Sequence, residues 1–374
     1  MIVQSPMKRI FAKYSSFIQQ TLQDEIENSG VYSSSAVLSR DELKDFYGQI
    51  YYHLGWVDQT FSPVQGYTGK LLRPTLLLLA YEATGAWGLA STGEGITHLS
   101  RALPAACAIE LFHNFTLMHD DIEDGDRERR YRPTAWAVFG VPHAVNTGDG
   151  ISCLSRLALF KLLDVGVNPD LVARLGSYFD RAALSVIEGQ HLDLHFETRE
   201  EVTIPMYLEM ITRKTAQLMA CAAEMGGMLG TEDLGSIEEL RQYGLRLGIA
   251  FQIRDDLSGI WATQQKSGKM PAGDLMRRKK TLPILHAIDH ASPQDQTLLR
   301  AFYGAREEPT DKQVAQVLSI LERTRSRYYC QDAIKEQCEL ARGALTQLST
   351  APSPLAQEAV ASLVTLVSYV EEDL

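Results

Sequence analysis

The sequence predicts an all-α fold, a single large helical domain over residues 1–374. Three observations predict it. Apolar residues recur at three- and four-residue steps through segments of roughly 15 to 30 residues. Alternating strand patterns are scarce, and helix breakers sit between the periodic segments. There is no internal repeat at a solenoid period and no low-complexity linker to mark a domain boundary.

The elements follow in order. The first helix is expected over 7–28 and closes at Ser29-Gly30. The span 29–39 reads as a flexible connection, with a second helix over 40–56. A third covers 68–84 and stops at Gly85. The fourth, 100–124, holds a long apolar stretch over 105–118 and ends in acidic residues. Gly140 precedes a fifth helix at 143–165, and Asn168-Pro169 opens a sixth at 169–197. A seventh runs over 205–229 to Gly230, and an eighth over 236–262. The ninth and tenth are expected at 277–290 and 312–347. Pro352 and Pro354, flanking Ser353, separate these from a last helix at 353–371. Residues 1–60 and 295–374 carry no recognisable motif.

Composition narrows the function. Hydrophobic residues make up 45% and charged residues 22%, which excludes a wholly disordered chain. With 36 Lys+Arg against 47 Asp+Glu the net charge is −11, so a nucleic-acid partner, which needs a basic face, is not expected. The five cysteines are widely spaced and form no CxxC pair, which argues against a disulfide framework or zinc site and for a reducing cytoplasm. The N-terminus has no apolar stretch of signal-peptide length, and no run approaches the ~18 apolar residues of a membrane span.

The sharpest local feature is His119-Asp120-Asp121-Ile122-Glu123-Asp124. On a helix, Asp120 and Asp124 lie about 40° apart around the axis and about 6 Å apart along it. Close carboxylates repel one another, and a helix C-terminus disfavours negative charge. A hard divalent ion such as Mg²⁺ relieves both costs. A second acidic pair, Asp255-Asp256, again ends an apolar helical stretch, and Arg254 beside it offers a competing way to neutralise the charge. Cationic residues cluster nearby in sequence. Lys70 and Arg73 share a helical face, arginines at 127, 129, 130 and 132 follow the first acidic cluster, and Lys214, Lys269 and Lys279 lie further on. Such groups beside metal-type carboxylates have the chemistry of phosphate holders, while each taken singly reads as a solvated surface charge.

Taken in order, these motifs resemble those of the trans-isoprenyl diphosphate synthases, the polyprenyl synthetase family, over roughly residues 65–290. GKLLRP matches GKxxRP, and Asp120, Asp121 and Asp124 match the first DDxxD. GQHLD at 189–193, KTAQL, FQIRDD and KKTLP follow in the family's sequence of motifs. The resemblance implies helices around a central apolar cavity, and usually a homodimer. It implies that Asp120, Asp124 and Asp255 bind Mg²⁺, three ions in all, on an allylic prenyl diphosphate, with Asp121 and Asp256 in support. Arg129, Lys214, Gln252, Lys269 and Lys279 would contact that same diphosphate. Lys70, Arg73, His113 and Arg130 would hold isopentenyl diphosphate.

Two departures stand out. The second motif reads DDLSG, with Gly259 in place of a final Asp. Tyr131 replaces the small residue that often follows the paired arginines. For product length, the resemblance points to Thr116 and Phe115, four and five residues before the first Asp, with Phe112 one turn deeper. That pattern resembles geranylgeranyl-type synthases, with farnesyl diphosphate the next expectation. The helical wheel alone puts Phe115 about 140° from Asp120 and does not select it as a floor. A terpene cyclase on the same scaffold has no use for the pocket of Lys70, Arg73, His113 and Arg130. A non-catalytic subunit would lack the first acidic cluster, which is intact here.

Overall fold

The computed structural model describes residues 6–29, 43–64, 69–86, 98–261, 273–349 and 352–372. Its elements are α1 (Pro6–Asn28), α2 (Lys44–Leu54), α3 (Leu72–Ala83), a 3₁₀ turn (Leu99–Arg101) and α4 (Leu103–Glu123). A short hairpin of β1 (Glu128–Arg129) and β2 (Arg132–Pro133) precedes α5 (Ala135–Phe139), α6 (Val141–Phe160) and α7 (Pro169–Thr198). Next come α8 (Ile204–Ile211), a π segment (Thr212–Ala216), α9 (Gln217–Gly230) and α10 (Leu234–Trp261). The chain ends with α11 (Gly273–Met276), α12 (Leu282–His290), α13 (Pro293–Gly304), α14 (Asp311–Arg323), α15 (Ser326–Thr346) and α16 (Pro354–Glu371).

Two compact units emerge, one of Met1–Phe179, Ala222–Asp233 and Thr350–Ser362, the other of Asp180–Cys221, Leu234–Ser349 and Leu363–Leu374. In the first unit, α4 is the central helix. Every residue from Leu103 to Phe112 is buried, as a helix apolar on nearly every side must be, and the one carboxylate in that stretch, Glu110, accepts from Asn114 Nδ2 at 2.9 Å. It packs on α6 and α3. From Pro74 to Ala83, α3 is also wholly buried, including Glu82. That carboxylate is satisfied by Lys13 Nζ at 2.9 Å, Tyr14 Oη at 2.7 Å and His98 Nε2 at 3.0 Å, which ties α1 to α3. Removing it would strand those donors, so Glu82→Ala is expected to cost about 3 kcal/mol or more in urea unfolding.

In the second unit, α10 packs along α15. The π segment comes so close to α10 that a Cβ on Gly248 would lie 2.6 Å from Ala216 Cα. A satellite core of α11–α14 gathers Leu275, Ile284, Leu299, Phe302, Val317 and Leu321.

Several boundaries differ from the periodicity. The expected helix at 312–347 is two helices, broken where Arg325 takes φ 55° and the Thr324 and Ser326 hydroxyls meet at 2.8 Å. No Gly or Pro marks that break. The expected helix at 277–290 starts later, because Arg278 is left-handed (φ 53°) and Thr281 is the extended N-cap, with Pro283 in the first turn. Helix α13 was not expected; Ser292 caps it by accepting from Asp295 N at 3.2 Å.

Candidate active site

The first unit carries one cluster. Asp120 and Asp124 are half-buried at the C-terminal end of α4, while Asp121 is 2% exposed. Arg129 Nε donates to Asp121 Oδ1 at 2.7 Å. Burial pushes the Asp121 carboxyl up to about 6, against the opposing pull of Arg129.

The two-residue loop of the hairpin is Arg130-Tyr131, with φ of 53° and 61°. This is the backbone of a type I′ turn, which Asn-Gly adopts readily and L-residues adopt at roughly 1 kcal/mol or more apiece. The strands hold it in place. Tyr52 donates to Pro133 O at 2.7 Å, and Arg132 donates to Val57 O at 2.6 Å with its guanidinium over the Tyr52 ring. The strained turn brings Arg130 against the GKLLRP segment, where a Cβ on Gly69 would lie 2.6 Å from Arg130 Nη2.

At the start of that segment's helix, Arg73 Nη1 meets His113 Nε2 at 3.0 Å. A guanidinium only donates, so Nε2 accepts and the imidazole proton resides on Nδ1. Burial, with Arg73 and Arg130 nearby, holds the His113 pKa well below its usual range, so the ring is neutral. Arg73, His113 and Arg130 thus form a cationic group with one neutral acceptor, distinct from the acidic helix end. Lys70 is exposed beside Gly69. His53, which the sequence did not single out, lines a pocket with Asp121, Arg129 and Arg130. Burial and the two arginines push its pKa down to about 3.

Among the length-related residues, Phe112 is 1% exposed and packs edge-on against Phe179 at 5.6 Å. Phe115 is half-buried, 5.4 Å from Phe112 and 4.7 Å from the His119 ring. The Thr116 hydroxyl donates to His113 O at 2.8 Å.

The second unit carries another cluster. Asp193, Lys214, Gln252, Asp255, Asp256, Asp274 and Lys279 line one pocket. The π segment sets Lys214: an extra residue in the turn shifts the register of side chains, a device common at functional sites. Gly189 makes this possible, because a Cβ there would lie 2.5 Å from Lys214 Cα. Lys214 Nζ donates to Asp193 Oδ2 at 2.6 Å, and Lys279 Nζ stands 3.9 Å from the same oxygen. Burial alone would raise the Asp193 pKa, but the two lysines outweigh it and hold the group ionised.

Asp255 is exposed and Asp256 buried. Asp256 accepts from Tyr207 Oη at 2.5 Å and Gln252 Nε2 at 2.9 Å, while Thr215 donates to Gln252 Oε1 at 2.7 Å. This chain fixes the Gln252 amide and leaves Asp255 as the outward carboxylate. Burial, reinforced by Asp274, pushes Asp256 up to about 7. Arg254 does not neutralise its acidic neighbours; it donates to Tyr369 O at 2.7 Å and covers that ring.

The Gly259 departure has a structural counterpart. A Cβ on Gly259 would collide with the Asp274 carboxylate, which enters from α11. An acidic group therefore does occupy the place beside the fifth residue of the DDLSG segment, supplied fifteen positions later in the chain. Asp274 and Tyr207 carried no local signal in sequence; Asp193 was visible within GQHLD. Lys269 lies outside the described residues.

Among the described residues, no three His, Cys, Asp or Glu side chains converge to hold an ion by themselves. The donor set is all carboxylate, half-exposed and crowded with like charge. It suits a hard cation that takes one or two side-chain oxygens and completes its shell with water and phosphate.

Comparison with known proteins agrees with these motifs. The polyprenyl synthetase family model matches residues 55–321. A (2E,6E)-farnesyl diphosphate synthase of Mycobacterium tuberculosis is 37% identical over 273 residues, 72% of each chain. A geranylgeranyl diphosphate synthase of the same organism is 35% identical over 305 residues, covering 82% of this chain and 83% of its own. The crystal structure of a polyprenyl synthetase from Streptomyces coelicolor superposes with a TM-score of 0.79 at 28% identity, covering 98% of both chains. The chain belongs to the polyprenyl synthetase family and is a prenyltransferase of the trans-isoprenyl diphosphate synthase type. Among the described residues no helix is long and apolar enough to cross a membrane.

Proposed function

We propose that the enzyme condenses isopentenyl diphosphate with an allylic prenyl diphosphate in the presence of Mg²⁺ and releases geranylgeranyl diphosphate. The observation that carries condensation over cyclisation is the second cationic group. Arg73, Arg130 and neutral His113 are assembled apart from the carboxylates, at the cost of a strained turn, and only a second diphosphate substrate uses them.

Asp120, Asp124 and Asp255 would hold the Mg²⁺, which when bound stabilises negative charge growing on the leaving diphosphate. Lys214 and Arg129 add donors to the same group. The allylic C–O bond breaks and its electron pair leaves with pyrophosphate. The isopentenyl double bond attacks the resulting carbocation, and a proton passes to the released pyrophosphate. Asp193 pairs with Lys214 and Lys279 and aims them, Asp256 orients Gln252, and Asp274 supplies the acidic group beside Gly259. The two units are proposed to act as one catalytic domain.

Phe115, backed by Phe112, is proposed as the floor for the growing chain. Relatives of both product lengths match this chain equally well, so the test is direct. Purified enzyme would be incubated with Mg²⁺, isopentenyl diphosphate and dimethylallyl, geranyl or farnesyl diphosphate, and products read by mass spectrometry. A C20 diphosphate is expected, and Phe115→Ala should shift products toward longer chains. A C15 end product would move the floor closer to Asp120, and cyclic hydrocarbon without elongation would sink the synthase reading.

Two copies are proposed to associate through α6, where Val141, Val145, Leu157 and Phe160 are 39–55% exposed within one arc of about 160°. The double variant Leu157→Glu/Phe160→Glu should run as a monomer in light scattering while wild type runs as a dimer.

A further inference from the structure

The chain holds two histidine pairs at helical i, i+4 spacing, and they are in opposite states. In α12, His286 is 7% exposed, its Nδ1 lies 3.0 Å from Ser326 Oγ, and its ring is stacked between His290 and Tyr329, each with centroids 4.2 Å away. His290 Nδ1 is 3.0 Å from His286 O. Those rings are committed to packing.

In α7, His191 and His195 are both exposed, and their rings are parallel (6°) with centroids 6.2 Å apart. Neither ring is hydrogen-bonded to another described residue. Two imidazoles bound to one ion at about 2.0–2.1 Å per nitrogen place their centroids about 5 Å apart for a tetrahedral angle and about 6.4 Å apart at most. The observed spacing lies at the near-linear end of that range, and the parallel rings must turn about χ1 and χ2, which an exposed helix face allows, to bring both ring planes onto one ion.

We propose that His191 and His195 form a surface site for a borderline divalent cation of the Zn²⁺, Ni²⁺ or Cu²⁺ class, with water completing the shell. Neutral imidazole suits these ions, whereas Mg²⁺ prefers oxygen, so the site is chemically distinct from the carboxylate walls. Cu²⁺ should bind tightest of the three. The ion would bridge consecutive turns of α7. Asp193 lies between the two ligands in sequence and about 160° around the helix from each, where it meets Lys214. Binding would therefore staple the turn that presents Asp193 without entering its pocket.

The test is a Cu²⁺ titration of the full-length protein in excess Mg²⁺, followed by electron paramagnetic resonance. One Cu²⁺ per chain with a two-nitrogen signature is expected. His191→Ala and His195→Ala should each weaken binding at least about ten-fold and reduce the signature to one nitrogen or none. His290→Ala and His143→Ala should leave it intact, and circular dichroism would confirm that all variants fold. Unchanged stoichiometry and affinity in the His191→Ala/His195→Ala double variant, or loss of the signal in His290→Ala, would overturn the proposal.

Discussion

Asp120→Asn is expected to lower kcat by about 10²- to 10³-fold, the size of effect seen when one preorganised stabiliser of developing charge is removed. Asp124→Asn should behave alike. Both side chains are half-buried at the acidic end of α4, so neither supports the core. The fold should in fact gain slightly, because each substitution removes like-charge repulsion at a helix terminus that is already negative. The expected signature is a large fall in kcat, a higher Mg²⁺ requirement, KM for isopentenyl diphosphate within about three-fold of wild type, and an unchanged or slightly raised Tm. Asp121→Asn should separate from the other two. Its carboxylate is buried and bonded to Arg129, so stability as well as rate should fall, by about 1–3 kcal/mol in urea unfolding. Steady-state kinetics and unfolding on the three variants make the comparison. Equal kcat in wild type and Asp120→Asn would remove the first acidic motif from the chemistry.

The parts of this site that were legible in sequence are those whose chemistry is local. The DDIED run announces itself because four carboxylates at the end of an apolar helix are costly without a cation. GKLLRP holds Lys70 and Arg73 three apart, but not on one helical face as the spacing suggests, because α3 begins at Leu72 and a left-handed Leu71 (φ 54°) parts them; GQHLD carries Asp193. What was not legible depends on tertiary contact. Asp274 sits in an unremarkable segment, and only its position against Gly259 gives it meaning. Tyr207 looks like an ordinary helix tyrosine until Asp256 is seen to accept from it. The same distinction explains the fold. Helix α4 was readable from its unbroken apolar run, whereas the α14–α15 break rests on a left-handed arginine that no breaker residue announces. The register shift at Lys214 is equally silent, since 205–229 reads as one uninterrupted helix and the extra residue is accommodated by packing on Gly189 and Gly248. Phe115 is intermediate: the family resemblance points to it, but its edge-on contact with His119 and tilted contact with Phe112 come only from the structure.

Gly259→Asp, which repairs the second motif to DDxxD by sequence, is expected to damage the enzyme. Gly259 is buried, and the space a side chain would need is filled by the Asp274 carboxylate. Overpacking a well-filled site costs about 1–3 kcal/mol. Here the added group is also a third like charge beside Asp256 and Asp274, and Asp256 is already pushed up to about 7 by burial and by Asp274. The sum should be about 2–4 kcal/mol in urea unfolding, with activity down at least ten-fold. Asp274→Gly alone should keep the fold but lower activity, because the pocket loses a carboxylate. The double variant Gly259→Asp/Asp274→Gly moves the carboxylate from α11 to α10 and removes the collision. It should recover more than half of the stability lost in Gly259→Asp and surpass both single variants in activity. The interaction energy from that cycle measures how far one position substitutes for the other. If Gly259→Asp alone were stable and more active, Asp274 would not be standing in for the missing residue, and the DDLSG segment would be a true loss of a ligand. If the double variant were no better than Gly259→Asp, the role of Asp274 would be tied to its own helix and not to the place its carboxylate occupies.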